Sequence, residues 1–299
     1  MISDSLFLNA KQVAEYLDLN EKKVYAMANE RRLPGTKVTG KWLFPKTLID
    51  RWIIDSCHAG TLSDRLIISG SDDPLLHYVI KRLSLRMGSS GLISYSACDT
   101  RSGLTHLNHG YADVCCIHWG HVADRDLTHP ALLKHYSNHK QWVLVHAANR
   151  DFGIMMRSEH HHLGQNVAQT LALQYRWVPR QAGSGSQQQL ERFLAEQGSH
   201  MNQLNCQAPA LSEHELAAAI ASGQGDFGLG CQGAAGEYGL AFVPLGTESF
   251  DLVMPQGIFF RQQLQHLFKA LQQPESQQRA RLLGGYDLSD CGKILWSNS

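Results

Sequence analysis

A chain of 299 residues, 43% of them hydrophobic, has the length of two or three domains and the composition of an ordinary globular protein. No apolar run in the sequence is long enough to span a membrane, and no basic-then-apolar signal segment opens it. Seven cysteines occur without a CxxC pair, which is typical of reduced thiols. We therefore expect a cytoplasmic protein.

Charge is unevenly distributed along the chain, although the formal net charge is zero. Residues 1–60 hold nine Lys or Arg and seven Asp or Glu, a net charge of +2, which leaves −2 for the remainder. A nucleic-acid interface needs clustered basic side chains. Such an interface is therefore expected in the N-terminal part of the chain.

The first predicted element is a short helix with strong N-terminal signals. Asn9 and Gln12 have the spacing of a capping box, and Leu8 and Val13 have that of a hydrophobic staple. These local signals predict a helix that begins directly after Asn9.

A second short helix is predicted after Asn20, which is again a good N-cap. Val24, Met27 and Ala28 lie on one face of this helix and are expected to point inward. Residues 18–20 form the short turn that a helix-turn-helix unit needs.

A β-hairpin and a third helix follow. Gly40 separates Val38 from the apolar stretch 42–44, as in a two-stranded wing. Pro45 suits the start of a helix. The residues expected to pack from that helix are Leu48, Ile49 and Trp52.

These elements predict a DNA-binding unit, since the second helix of such a unit enters the major groove and flanking basic residues meet phosphates. The stretches LNAKQVAEYLDLNEKKVYAMANERRLPGTKV and GKWLFPKTLIDRWI resemble the excisionase-type, MerR-like winged helix-turn-helix family. The resemblance implies a DNA-binding domain at residues 1–56. The expected DNA-binding residues are Lys22, Lys23, Tyr25, Asn29, Arg31, Arg32, Lys37 and Lys41.

Residues 57–64 are small and polar and are expected to form a linker. Beyond them, strands and helices alternate, which predicts a parallel sheet with right-handed crossovers. Asp113 and Asp226 are expected to brace two similar turns, in GYADVCCI and GQGDFGLG. Strands are expected at 65–70, 92–95, 112–117, 141–146, 153–156, 177–178, 226–230, 241–244 and 250–254, and helices after Asp73-Pro74, from Ser102-Gly103, and at 187–197, 213–222 and 262–271, the last being the final helix.

The order of the motifs ISGSDDPLL, SGLTHLNHGYADVCCIHWGH, RQAGSGSQQQL and AAAIASGQGDFGLGCQGAA resembles the periplasmic-binding-protein-like fold with two strand-sharing lobes. More closely, it resembles the molybdate/tungstate-binding-type domains fused to helix-turn-helix heads in bacterial regulators. The implied fold class is α/β, with an N-terminal winged helix-turn-helix and a two-lobed type II domain at residues 65–299. Lobe 1 would comprise about 65–148 and 242–299, and lobe 2 about 149–241. Gln187 stands where the family has Arg, so the ligand preference is left open.

A ligand is expected beyond the carboxyl ends of the strands, at helix N-termini, where backbone N–H groups and the helix dipole favour anions. Serine- and glycine-rich loops occupy these places, although ordinary turn chemistry also favours Ser and Gly. Simple packing is an equal alternative for His118 and Trp119. The candidate ligand-binding residues are Ser69, Ser71, Asp72, Ser102, His118, Trp119, Arg180, Ser184, Gly185, Ser186 and Cys231.

Together these features predict a transcriptional regulator that binds double-stranded DNA as a homodimer or homotetramer and responds to a small anion, with a molybdate- or tungstate-like oxyanion favoured. The sequence has no P-loop, nucleophile elbow or HExxH motif, so neither an enzyme nor a cofactor is expected. Three alternatives stay open: an enzyme of molybdenum-cofactor metabolism with a DNA-binding leader, an architectural DNA binder of the excisionase kind, and a regulator that senses a small organic acid or a sulfur compound.

The histidine run at 160–162 is interpreted as a surface loop rather than a metal site. Side chains adjacent in sequence rarely converge on one ion, and no cysteine or acidic cluster accompanies the run. No metal site is expected.

Overall fold

The computed structural model describes residues 6–30, 33–38, 40–56, 65–88, 91–165, 170–171 and 174–297. The chain divides into two compact units, Met1–Ser63 and Asp64–Ser299. The predicted linker at 57–64 and the predicted DNA contacts Arg31 and Arg32 lie outside the described residues. Across the described ranges, no helix is both long and apolar enough to cross a membrane.

The N-terminal unit has the predicted helices and hairpin, and one additional strand. The additional strand Phe7–Leu8 (β1) pairs antiparallel with Lys41–Pro45 (β3), which also pairs with Thr36–Val38 (β2), so that the sheet order is β1-β3-β2. A two-residue strand shows no alternation of polar and apolar residues, which is why the sequence did not reveal it. The elements are β1 (Phe7–Leu8), α1 (Ala10–Leu17), α2 (Glu21–Asn29), β2 (Thr36–Val38), β3 (Lys41–Pro45) and α3 (Lys46–Ser56).

Both predicted N-caps are formed. Asn9 Oδ1 accepts from Gln12 N at 2.9 Å, and Gln12 Oε1 accepts in return from Asn9 N at 2.9 Å. Asn20 Oδ1 accepts from Lys23 N at 2.8 Å. Between the helices, Asp18 adopts a left-handed conformation (φ 52°), which ends α1 and allows α2 to start in a new direction.

The core of the N-terminal unit follows the predicted inward faces with one exception. Val24, Phe44 and Ile49 are fully buried. The prediction for Leu48 was wrong, because its side chain is 48% exposed. Adjacent residues of a helix point in different directions, and Ile49 takes the inward position.

The second unit is built on one ten-stranded sheet with helices packed against it. Its strands are β4 (Arg65–Ser71), β5 (Leu92–Cys98), β6 (Val114–Ile117), β7 (Trp142–Met156), β8 (Arg176–Trp177), β9 (Asn205–Cys206), β10 (Phe227–Cys231), β11 (Ala241–Pro255), β12 (Tyr286–Asp287) and β13 (Ile294–Ser297). Its α-helices are α4 (Pro74–Met87), α5 (Thr100–Asn108), α6 (Arg125–Leu133), α7 (Gly185–Glu196), α8 (Glu213–Ala221), α9 (Gln232–Glu237), α10 (Gln256–Phe259), α11 (Gln262–Leu271) and α12 (Pro274–Leu283).

The sheet is mixed rather than parallel, which corrects the prediction. Its order is β5-β4-β6-β11-β7-β10-β8-β9, and β12 and β13 also pair with β7. The outer strands β4, β5 and β6 are mutually parallel, as are β8, β9 and β10, whereas β11 and β7 run antiparallel to their neighbours. A further correction is that α11 is followed by α12, which begins at Pro274.

Two long strands replace four predicted short ones. β7 joins the strands expected at 141–146 and 153–156, and β11 joins those expected at 241–244 and 250–254. The two strands pair with each other almost from end to end. Each strand continues through a charged residue, Arg150 in β7 and Glu248 in β11. Both residues are buried, and they are bonded to each other with 2.7 Å between Arg150 Nε and Glu248 Oε1.

The buried apolar residues of the second unit form the cores of two lobes, one at each end of the β7–β11 pair. Ala147 belongs to the core of lobe 1 and Phe152 to that of lobe 2. On the return strand, Leu245 packs in lobe 2 and Phe250 in lobe 1. β11 therefore passes from the core of lobe 2 to the core of lobe 1 between these two residues.

The two adjacent residues Ile49 and Leu48 offer a test of the packing of the N-terminal unit. Ile49→Ala is expected to destabilise this unit by about 2–5 kcal/mol, because it removes buried methylene groups. Leu48→Ala, the matched control, should change the stability by less than about 0.5 kcal/mol. Hydrogen exchange of the α1 and α2 amides measures both effects, and equal losses of protection would contradict the assignment of the two faces.

Candidate functional site

The N-terminal unit exposes basic and polar side chains on its second helix and on its hairpin. α2 turns Val24, Met27 and Ala28 inward, as predicted, and leaves its other face free for an external surface. Tyr25 is 43% exposed. The predicted DNA contacts that the structure describes are all exposed, namely Lys22, Lys23, Tyr25, Asn29, Lys37 and Lys41.

The second unit brings loops from both lobes together in a buried polar network. In lobe 1, Ser71 Oγ lies 2.7 Å from Thr100 Oγ1, which donates to the backbone oxygen of His118 at 3.2 Å. From lobe 2, Ser186 Oγ lies 3.2 Å from His118 Nε2. Gly185 packs so closely on the imidazole that a Cβ would collide with it. The predicted residues Ser71, His118, Gly185 and Ser186 thus meet across the cleft between the lobes.

Glu213 is the centre of the lobe 2 side of this network. Its carboxylate accepts from Ser186 Oγ at 2.6 Å and from the backbone N–H of Cys231 at 3.0 Å. It also forms an ion pair with Arg180, and all of these residues are buried. The positive charge of Arg180, which was expected to meet a ligand, is therefore already balanced within lobe 2.

Arg150 brings a second buried guanidinium group from β7. Its Nε donates to Glu248 Oε1 at 2.7 Å, and its Nη1 donates to Asp73 Oδ2 at 3.0 Å. Among the described residues, no hydrogen-bond partner faces Arg150 Nη2 or His118 Nδ1, and Glu248 Oε2 has the side-chain amide of Gln189 beside it. Burial lowers the pKa of His118, and the charge of Arg150 lowers it further, so this imidazole is neutral. The network therefore holds two nitrogens and one oxygen that are able to bond a polar molecule.

Ser102 and Ser184 act as parts of helix N-termini. α5 starts at Thr100 and not at Ser102, because Asp99 Oδ1 accepts from Ser102 N at 2.8 Å and so acts as the N-cap. Ser102 Oγ also donates to this carboxylate, at 2.6 Å. Ser184 Oγ caps α7 by accepting from the third helical N–H at 3.0 Å. Both serine hydroxyls are thus engaged by the protein itself.

Ser69 and Trp119 make contacts within lobe 1. Ser69 Oγ lies 2.9 Å from His106 Nδ1. Trp119 is half-buried, and the guanidinium of Arg101 lies 5.3 Å from its ring centroid. Trp119 and Arg101 line a cavity of about 410 Å³ that is formed by lobe 1 residues. These contacts are separate from the hydrogen-bonded chain between His118 and Ser186.

Asp72 links the two lobes at the edge of the cleft. Its Oδ2 accepts from His214 N at 3.1 Å and lies 2.9 Å from His214 Nδ1, while its Oδ1 lies 2.8 Å from His77 Nε2. Burial alone would raise the pKa of Asp72, but hydrogen bonds from His214 and His77 hold it well below its usual value. The carboxylate is therefore ionised and repels an anion at this place.

The sequence reading missed several residues of the network, above all Arg150, Glu213 and Glu248. A partial signal existed for Arg150 and Glu248, since each is a charged residue inside a long apolar segment, where an unpaired charge would be costly. Glu213 gave no such signal, because an acidic residue is ordinary in the first turn of a helix. The two turn aspartates accept backbone hydrogen bonds, as expected for residues that brace turns: Asp113 from Ile67 N at 2.8 Å and Asp226 from Arg176 N at 2.8 Å.

The histidine run at 160–162 lies in a short 3-10 helix, Ser158–Gln165. His160 is half-buried, with its ring centroid 5.7 Å from that of Phe227, whereas His161 and His162 are exposed. The three side chains therefore point in different directions, and in the described structure this run does not form a cluster that could hold a metal ion.

Comparison with known proteins gives matches to two family models. A helix-turn-helix domain matches residues 7–55, and a PBP superfamily domain matches residues 84–272. The predicted combination of an excisionase-like head with a two-lobed α/β domain is thereby confirmed. A search of curated proteins gives no match.

Solved structures share the fold at low sequence identity. The tungstate ABC transporter from Geobacter sulfurreducens is 13% identical with a TM-score of 0.51, over 72% of this chain and 97% of that chain. An H2O2-bound mutant of Corynebacterium glutamicum OxyR is 12% identical with a TM-score of 0.51, over 92% of this chain and 90% of that chain. The Synechocystis PCC6803 CcmR regulatory domain in complex with 2-PG is 12% identical with a TM-score of 0.51, over 70% and 98%. Identities this low establish the fold alone.

Two glutamates of α8 test the buried ion pair. Glu213→Gln leaves the buried guanidinium of Arg180 without a counter-charge and is expected to destabilise the second unit by about 3–5 kcal/mol. Glu215→Gln, on the exposed side of the same helix, should cost less than about 0.5 kcal/mol. Urea unfolding of the full chain measures both, and a small effect of Glu213→Gln would contradict the role given to this pair.

Proposed function

Because the chain belongs to the PBP superfamily and its N-terminal unit is a helix-turn-helix domain, we propose that the protein is a DNA-binding regulator that responds to a small ligand. The observation that carries the proposal is the buried polar network shared by both lobes. Within the described structure, Arg150 Nη2 and His118 Nδ1 are buried there without a hydrogen-bond partner. The combination of a helix-turn-helix domain with a two-lobed domain of the PBP superfamily favours a regulator over an enzyme.

The β7–β11 pair supplies a mechanism for the response. Both strands run from one lobe into the other, so a change in their twist at the crossing moves the lobes relative to each other. A ligand that contacts His118 of lobe 1 and Ser186 of lobe 2 binds better when the lobes are closed. Its binding therefore shifts the population towards the closed form.

The first candidate ligand is an oxyanion of the molybdate or tungstate type. Arg150 Nη2 and the N-terminus of α7, which begins at Gly185, both offer N–H donors to an anion. The fold shared with a tungstate ABC transporter protein is consistent with this class. Gln187 is neutral where the related family has Arg; its Oε1 accepts from Arg180 N at 3.1 Å.

The second candidate ligand is a small hydroxylated organic acid. Glu248 Oε2 is a buried acceptor with the amide of Gln189 beside it, and a fully deprotonated oxyanion has no proton to donate to it. A ligand that carries both a carboxylate and a hydroxyl group would bond Arg150 and Glu248 together. The two candidates therefore differ at this site, because a hydroxy acid would donate a hydrogen bond to Glu248 and tungstate would not.

Ligand binding is tested by a thermal-shift screen of the full chain against molybdate, tungstate, sulfate, phosphate and small hydroxy acids. A compound at 100 times its dissociation constant should stabilise the second unit by about 2.7 kcal/mol. Ser186→Ala should abolish or weaken this response, because it removes a hydroxyl from the network, whereas Ser222→Ala at the exposed end of α8 should not. An unchanged response in Ser186→Ala, or no response to any compound, would contradict the proposed site.

DNA binding is tested with a mixed-sequence duplex over a range of salt concentrations. Lys23→Ala should weaken binding and lower the slope of log K against log salt by about 0.9, the value for one lost phosphate contact. Lys269→Ala, an exposed lysine of the second unit, is the matched control and should leave the slope unchanged. Equal effects of the two substitutions would contradict the assignment of the DNA interface to α2.

Assembly into a homodimer or homotetramer completes the proposal, because helix-turn-helix proteins commonly read two half-sites related by symmetry. Analytical ultracentrifugation of the full chain should show a dimer or tetramer at micromolar concentration. A monomer that stays monomeric on duplex DNA would contradict it.

A further inference from the structure

Three side chains that can bind a metal ion, one carboxylate and two imidazoles, meet at the edge of the interlobe cleft. Asp72 follows β4 and His77 lies in the first turn of α4, both in lobe 1, whereas His214 lies in the first turn of α8 in lobe 2. One ligand atom of each residue lies within 4.8 Å of the others. Asp72 is buried, while the side chains of His77 and His214 are 39% and 30% exposed. An ion from solvent can therefore reach this cluster.

The donor set and its spacing suit a transition metal. Two imidazoles and one carboxylate are a common set of three protein ligands for zinc, with a fourth position left for water. His77 Nε2 and His214 Nδ1 now lie 2.8 and 2.9 Å from the Asp72 oxygens. Ligand atoms of a tetrahedral zinc site are about 3.4 Å apart. Both contacts are shorter than this spacing, so the two imidazoles have to move away from the carboxylate for an ion to enter.

Glu237 supplies the outer partner that metal-bound histidines usually have. Its Oε2 lies 2.8 Å from His214 Nε2, while the other ring nitrogen of His214 faces Asp72. A carboxylate on the far nitrogen fixes the ring orientation and increases the basicity of the ligating nitrogen. Glu237 is itself held by Arg279 at 2.8 Å. The ring of His214 is thus oriented towards Asp72 by Glu237 of lobe 2, which Arg279 of lobe 1 holds in place.

The cluster opens into a cavity of about 740 Å³ between the lobes. Lys81 and two arginines line this cavity, and both arginines are paired with acidic groups, Arg279 with Glu237 and Arg82 with Glu275. Their positive charges are therefore balanced locally. The carboxylate of Asp72 is the buried charge closest to the two imidazoles, which favours a cation at this point.

We propose that a divalent transition-metal ion of the zinc class binds to Asp72, His77 and His214 and joins the two lobes. Metal binding at this cluster requires neither the small ligand nor DNA. This proposal therefore does not depend on the proposed regulatory function. Because its ligands come from both lobes, the ion binds the closed form and stabilises it. The metal would thus set how readily the cleft opens.

The test is titration of the chelator-treated full chain with Zn²⁺, followed by competition with a chromophoric chelator, and with Co²⁺ as a spectroscopic probe. One Zn²⁺ per chain is expected, with Co²⁺ absorption bands of nitrogen and oxygen ligands and no thiolate charge-transfer band. His77→Gln and His214→Gln should each abolish this site. Glu237→Gln should weaken it by about 10–100-fold, as substitutions of such outer partners do.

His161→Gln is the matched control, because His161 is an exposed histidine outside the cluster, and it should leave Zn²⁺ binding unchanged. The amide introduced by His77→Gln would retain a hydrogen-bond donor to Asp72, so a thermal scan of this variant distinguishes loss of metal from loss of fold. The proposal is overturned if the wild type binds no Zn²⁺, if His77→Gln and His214→Gln retain full affinity, or if His161→Gln abolishes binding. A thiolate band in the Co²⁺ spectrum would also overturn it.

Discussion

Fourteen of the fifteen residues of β7 pair antiparallel with fourteen of the fifteen of β11, and this double strand runs from the core of one lobe into the core of the other. At its middle, Arg150 and Glu248 are buried together, where an unpaired charge would cost several kcal/mol. The outer strands attach to this pair on either side. The pair therefore decides where the lobes meet, and any movement between them must pass through it.

The chemistry of the cleft follows from this arrangement. The helices α4, α5, α7 and α8 begin where strands end at the crossing, so that their N-termini lie close together. Buried charged side chains lie beside these N-termini. The result is a site that is polar but nearly neutral, because Glu213 balances Arg180 and Glu248 balances Arg150. Such a site discriminates by the placement of donors and acceptors more than by net charge. A ligand is therefore selected by its protonation as well as its shape.

Local chemistry was predictable from sequence and long-range pairing was not. The caps at Asn9 and Asn20 were found because a side chain and the N–H it binds are three residues apart. The loop residues His118 and Ser186 were found because strand ends and helix starts have a recognisable composition. Arg150 and Glu248 are 98 residues apart in sequence, so no spacing rule joins them, and the continuity of β7 and β11 that depends on this contact was missed as well.

The central claim is that binding of a small molecule to the two-lobed unit changes how the helix-turn-helix unit binds DNA. Reciprocal linkage tests it most directly: the affinity for duplex DNA is measured with and without the compound that stabilises the second unit, and the affinity for that compound is measured with and without DNA. We expect one coupling factor different from unity, and the same factor in both measurements. A compound that stabilises the second unit and leaves the affinity for DNA unchanged would contradict the proposed regulation.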